Sequence, residues 1–149
     1  MATVRKPRGV TVLELLVALA ISGILAGGAL LGYQQMADDL RLSQAVRQIM
    51  LDLASTRTQA LAENVGRRLV FLLDREAYQP QRQSGGGYDD SGSLVALPPG
   101  IDLTDCSGTG SAIAFRPRGS ATTGTITLRN RLGHERRVVI DIAGRIRAE

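Results

Sequence analysis

The sequence predicts an α+β protein: one long N-terminal helix, membrane-spanning in its first half and amphipathic in its second, packed on a small antiparallel β-rich domain. Three observations carry this. An apolar run from Val10 to Gly32 contains a single ionisable residue, Glu14. Apolar residues then recur at helical spacing to about Glu63. Beyond Gly66, short apolar or alternating runs are punctuated by Gly, Pro, Asn and Asp.

At 1.5 Å per residue, Val10–Gly32 would make a helix of about 34 Å, enough for a hydrocarbon core of about 30 Å. Arg5, Lys6 and Arg8 precede it. Their charge should hold the N-terminus in the cytoplasm while the bulk of the chain crosses. A secretory signal peptide would end at a small-residue cleavage site after the apolar stretch, whereas here the helical pattern runs on. The segment is therefore read as a retained single-pass anchor. Gly23, Gly27, Gly28 and Gly32 give small-xxx-small spacings that allow helices to approach closely.

Glu14 is the anomaly in this run. An unpaired carboxylate in lipid costs a few kcal/mol or more, so it needs a neutral form or a cation. Cleavage between Gly9 and Val10 would place a new α-amino group at the same helix end. A neighbouring copy, offset along the axis, could then supply the cation and make Glu14 an assembly device.

Leu42, Val46, Ile49, Leu53 and Ala60 continue the helix with one buried face, while Asp38, Asp39, Arg41, Arg47, Asp52 and Arg57 fall mostly elsewhere. Asn64 and Gly66 end it. RRLVFLL reads as a buried strand, and EAYQPQR, LVAL, IDL, AIAF, TITLRN and RRVVIDI follow as further strands. The last two are joined by RLGHE, whose Gly133 suits a hairpin, and SGGGYDDSGS (Ser84–Ser93) is expected to be a surface loop. The resulting segments are a leader, 1–9; a transmembrane and assembly helix, 10–32; an amphipathic helix, 33–64; and a β-rich domain, 65–149, with an arginine-rich tail. About 85 residues of sheet make room for only one small core.

The stretch RGVTVLELL, from Arg8 to Leu16, resembles the class III signal of type IV pilins and pseudopilins. In that family a prepilin peptidase cuts after the glycine and methylates the new N-terminus. The resemblance implies cleavage and N-methylation at Gly9 and Val10, with valine where phenylalanine is usual. It also implies an assembly role for Glu14 and a helix that partly unwinds near Gly23 during assembly. AFRPRGSA, with Phe115, Pro117 and Gly119, and the terminal AGRIR are similar to the GspH/FimT-type minor pilins and pseudopilins, low-copy subunits at or near a filament tip. The resemblance implies a pilin fold, other pilin or pseudopilin subunits as partners, an inner-membrane anchor, a periplasmic globular domain and assembly into a pilus or pseudopilus at the cell surface.

The net charge of +4 mostly reports the leader, because after Gly9 there are 15 basic and 14 acidic residues. The ending is different. From Arg116 on, eight arginines face three carboxylates, a local +5, and every cation after Gly9 is an arginine, whose fork matches phosphate oxygens bidentately. In GRIR, Arg145 and Arg147 are two apart and fall on one side of an extended chain, with Gly144 freeing the backbone beside them. In FimT-like pilins of naturally transformable bacteria a GRxR tail is associated with DNA binding for uptake. The match implies DNA-binding roles for Gly144, Arg145 and Arg147, with Arg136 and Arg137 adding charge nearby.

No catalytic constellation is visible: His134 is the only histidine and falls in a predicted turn. Asp89 and Asp90 lack calcium-loop spacing, Gly108 and Gly110 do not make a phosphate-cradling loop, and no metal or cofactor is expected. Cys106, the only cysteine, is expected to be a free, partly buried thiol. Two function classes stay open: a minor pilin that captures double-stranded DNA, and a structural pseudopilin of type II secretion.

Overall fold

The computed structural model describes residues 11–149, with side chains left aside for residues 28–33. It contains helix α1 (Val12–Glu63) and nine strands: β1 (Arg67–Leu72), β2 (Ala77–Ser84), β3 (Gly87–Asp90), β4 (Val95–Ala96), β5 (Ile101–Cys106), β6 (Ala112–Phe115), β7 (Gly124–Asn130), β8 (Glu135–Ile140) and β9 (Ile146–Ala148). The chain divides into two compact units at Met36/Ala37.

In the first unit, Thr11 caps α1. Its Oγ1 accepts from the Glu14 N–H at 3.2 Å, the Thr-x-x-Glu arrangement of a capping box. Val12, Leu13, Leu15, Leu16, Val17, Leu19, Ile21, Ile24 and Leu25 are each at least half exposed, so this stretch is apolar all round. α1 is helical through Gly23 and Gly27, and a Cβ at either would meet nothing within 4 Å. Among the described residues no helix is long and apolar enough to cross a membrane. The expected span, Val10–Gly32, includes residues outside that set, as do the leader, Gly9 and Val10.

The second unit packs the rest of α1 on two antiparallel sheets. One has the order β3-β2-β1-β6, with β4 sharing the second edge of β2; the other is β5-β7-β8-β9. Leu42, Ala45, Val46, Ile49, Leu53 and Ala60 of the helix are buried against Leu69, Phe71, Tyr78, Ile113 and Phe115 of the first sheet and Ile101, Leu103, Ile126, Leu128, Val138 and Ile140 of the second. Each buried large side chain contributes about 1.5–3 kcal/mol of transfer free energy. Tyr78 lies wholly in this core, 5.6 Å between ring centres from Phe71, and its hydroxyl donates to Asp52 on the helix. Asn64, at φ 53°, closes the helix where the stop signal falls, and the Val65 N–H donates to the Ala60 carbonyl.

Two strands were not anticipated. The stretch expected as a loop at Ser84–Ser93 contains β3: Gly85 and Gly86, both at positive φ, form the two-residue turn that pairs Gly87–Asp90 with β2. Arg68 stacks over the Tyr88 ring at 4.1 Å and Asp90 accepts from Gln81. The expected tail is β9, hydrogen-bonded to β8 in the register Ile140↔Ile146, Val139↔Arg147 and Val138↔Ala148. Pairing with an apolar neighbour overrides its polar composition.

Candidate nucleic-acid interface

The arginine-rich end is built on the β8–β9 hairpin. Its turn, Asp141 to Arg145, is closed by main-chain bonds from Gly144 N–H to the Asp141 carbonyl (2.9 Å) and from Asp141 N–H to the Arg145 carbonyl (3.1 Å). Asp141 Oδ1 accepts from the Arg145 N–H at 3.0 Å, and that bond is the main reason its carboxyl titrates below the usual range.

Gly144 is needed here for space as well as conformation. It sits at φ 74°, and a Cβ would lie 2.6 Å from the Gly119 carbonyl oxygen and 2.9 Å from Arg57 Nε. Arg57, half-buried on α1, donates from Nε to the Gly119 carbonyl at 3.3 Å and from Nη2 to the Ala143 carbonyl at 3.2 Å. One guanidinium thus ties the helix to both loops that carry the sequence signatures, RPRGS and AGRIR.

The five residues assigned to DNA do not form one patch. Val138 and Ile140 point into the core, so alternation places Arg136 on their face and Arg137 with Val139 on the other. Arg147, opposite Val139, shares the outer face with Arg137. Arg147 lies 3.7 Å from the Asp141 carboxylate, and Arg137 exchanges main-chain bonds with Glu149, which puts that carboxylate beside it. On the helix side, Arg145 and Gly144 line a groove of about 530 Å³ with Met50, Leu51, Ala54, Arg57, Thr58, Leu61 and Ile146. Arg136 lines a smaller one, about 290 Å³, with Ser43, Val46, Arg47 and Ala148. The sequence places Arg47 and Arg57 mostly off the buried helix face; the grooves they line depend on where β9 docks.

Other candidates resolve structurally. His134 Nδ1 lies 2.7 Å from Asp39 Oδ1, which also accepts from the buried Asn130 amide (2.8 Å), joining the β7–β8 turn to α1. The His134 bond is the chief cause holding the Asp39 carboxyl below its ordinary range. Cys106 is a buried free thiol whose burial raises its pKa. Among the described residues no cluster could hold a metal ion.

A long helix with an exposed, largely apolar opening segment that carries Glu14, together with a small domain of two antiparallel sheets, defines a pilin-like filament subunit. A family model described as type II transport protein GspH matches residues 45–144, and a prokaryotic N-terminal methylation motif matches residues 4–30. The chain belongs to the GspH family, which comprises structural minor pseudopilins and pilins rather than enzymes. Type II secretion system protein H of Xanthomonas campestris pv. campestris is 32% identical over 127 residues, 83% of this chain and 72% of that protein. The fold is shared with the minor pseudopilin EpsH of the Vibrio cholerae type 2 secretion system (TM-score 0.64, 13% identity, 73% of this chain and 96% of that one). It is also shared with the type IV minor pilin FimU of Pseudomonas aeruginosa (TM-score 0.60, 16% identity, 76% and 92%).

Proposed function

We propose that this GspH-family subunit is a minor pilin that binds extracellular double-stranded DNA without sequence preference through arginines of its β8–β9 end, aiding uptake in natural transformation. The observation that carries the reading is the set Arg136, Arg137, Arg145 and Arg147 on one hairpin, with Gly144 fixing its turn. Among the described residues no recognition helix or stacking aromatic lies beside them, so contacts go to phosphates. The chain reaches this position as a single-pass inner-membrane protein, cut by the prepilin peptidase after Gly9 and methylated on Val10. Glu14 registers it among other pilin subunits, its globular domain lies in the periplasm before assembly, and it acts without catalysis.

The full-length chain in detergent micelles is mixed with a labelled 30-base-pair duplex and titrated with salt. Binding with a dissociation constant of about 10⁻⁴ to 10⁻⁶ M at physiological salt is expected, weakening steeply as salt rises. Replacing Arg136, Arg137, Arg145 and Arg147 together by Gln should abolish it. A wild-type chain that ignores DNA at low salt would refute the reading.

A second reading, a type II secretion pseudopilin with a structural or assembly-priming role, is favoured by the 32% identity to the Xanthomonas protein H. Loss of secretion without loss of transformation in a deletion strain would select it.

A further inference from the structure

We infer that the phosphate-binding site is the seam between α1 and β9, and that it includes Arg47, a helix residue outside the arginine-rich ending. The inference rests on the DNA reading above and names where on the molecule the duplex lies.

The two grooves described above are consecutive along one seam. Stepping from Val46 to Met50 on the helix corresponds to stepping from Ala148 to Ile146 on the strand. Arg47 and Arg136 line one end, Arg57 and Arg145 the other. The separation of these pairs follows from both elements. Ten residues of helix from Arg47 to Arg57 rise about 15 Å. Five residues of strand from Arg136 to Asp141, where the Arg145 carbonyl is bonded, extend about 17 Å. At 3.4 Å of axial rise per nucleotide, that length runs beside four or five phosphates of one strand.

Charge pairing separates the seam from the outer face. Arg147 has the Asp141 carboxylate 3.7 Å away, a carboxylate whose pKa Arg145 also lowers, and Arg137 is paired through its main chain with Glu149, whereas among the described residues no carboxylate lies within ion-pair distance of Arg47 or Arg136. Arg47 donates only to the Ser43 carbonyl of its own helical turn, at 3.3 Å. Asp39 is near enough to feel Arg136, with its Oδ1 accepting from Asn130 and lying beside His134 Nδ1. The exposed guanidinium groups of Arg47 and Arg136, neither of them in an ion pair among the described residues, suit a polyanion whose charges recur along a line. Arg57, committed to two carbonyls, shapes the far end and adds charge there.

The test compares two charge-matched double variants of the full-length chain in detergent micelles, with the 30-base-pair duplex as probe. Arg47→Gln with Arg136→Gln should weaken binding about tenfold or more and lower the salt slope by up to about 2. Arg137→Gln with Arg147→Gln should change affinity less than about threefold, because a guanidinium beside Glu149 or Asp141 must give up that carboxylate to reach a phosphate. Both doubles remove exposed side chains outside the core, and unchanged thermal midpoints check the fold; Arg47→Glu alone is a second probe and should weaken binding further than Arg47→Gln. Equal losses in the two doubles, or a larger loss from the outer pair, overturns the seam while leaving DNA binding intact. Failure of the wild-type chain to bind overturns both readings. Polyglutamate at matched charge should compete poorly with the duplex; equal competition would assign the seam to an acidic protein instead.

Discussion

Arg57 stands where a side chain on residue 144 would have to go: its Nε lies 2.9 Å from the Cβ position of Gly144, while its Nη2 holds the neighbouring Ala143 carbonyl at 3.2 Å. Gly144→Ala must displace either this guanidinium or the Gly119 carbonyl, and it strains a backbone at φ 74°. A loss of about 1–3 kcal/mol is expected. Chemical denaturation of the variant beside the wild type measures it, and a loss below about 0.5 kcal/mol would mean the turn adapts freely.

How much of this was legible in the sequence depends on range. The core face of α1 followed from a 3.6-residue period, and Leu42, Val46, Ile49, Leu53 and Ala60 are all buried as that period required. β3 and β9 were missed because their composition is polar and their existence depends on partners: a diglycine turn in one case, β8 in the other. In the arginine-rich end, the split of Arg136 from Arg137 was readable, since RRVVIDI alternates with period two. The placement of Arg47 and Arg57 was not, because it needs the docking of β9 against the helix, a contact nearly a hundred residues apart in sequence. The need for glycine at 144 had the same non-local cause.

The cap that Thr11 places on the Glu14 N–H and the assembly role proposed for the Glu14 carboxylate are separable, and substitutions at the two residues distinguish them. Thr11→Ala removes the hydroxyl that caps the helix and costs about 1 kcal/mol locally, which should leave incorporation into filaments nearly intact. Glu14→Ala should allow membrane insertion yet impair incorporation if, as proposed, the carboxylate pairs with a neighbouring subunit. Membrane fractionation and filament shearing of both variants check this, and normal incorporation of Glu14→Ala would remove the assembly role.

Processing is read out by mass. Gly9→Leu should block cleavage and leave the leader attached, while the wild-type mature chain should begin with N-methylated Val10. Mass spectrometry of protein recovered from filaments decides it, and finding Met1 there would refute the cleavage site.

Tyr78 makes stability fall in alkali. Its burial is the main reason its pKa is raised, with the Asp52 carboxylate acting in the same direction. A pKa raised on folding means that the contribution is fully present below the unfolded value of about 10 and is lost as pH rises beyond it. Thermal midpoints should therefore drop from about pH 10 upward in the wild type, and Tyr78→Phe should flatten that decline while costing about 1 kcal/mol at neutral pH. An equal alkaline decline in both proteins would assign it elsewhere.

Asp141 restrains the outer arginines. Asp141→Asn keeps an oxygen for the Arg145 N–H but removes the charge 3.7 Å from Arg147. DNA affinity should rise about two- to fivefold at low salt, with the gain screened as salt increases. Asp74→Asn, which also removes one surface carboxylate beside an arginine, serves as the charge-matched control. A gain of the same size in that control would reduce the effect to net charge.

β9 is the last strand of its sheet, so one row of its main-chain N–H and C=O groups faces away from β8 with no strand of the described residues beside it. Such a rim invites strands from other molecules, a hazard for a subunit that assembles among other pilin-like subunits. Here the rim is three residues long, with Arg147 at its centre and Arg145 beside it. Two such ends would bring arginines together before their backbones could join. The arginines of this end therefore discourage sheet-to-sheet fusion.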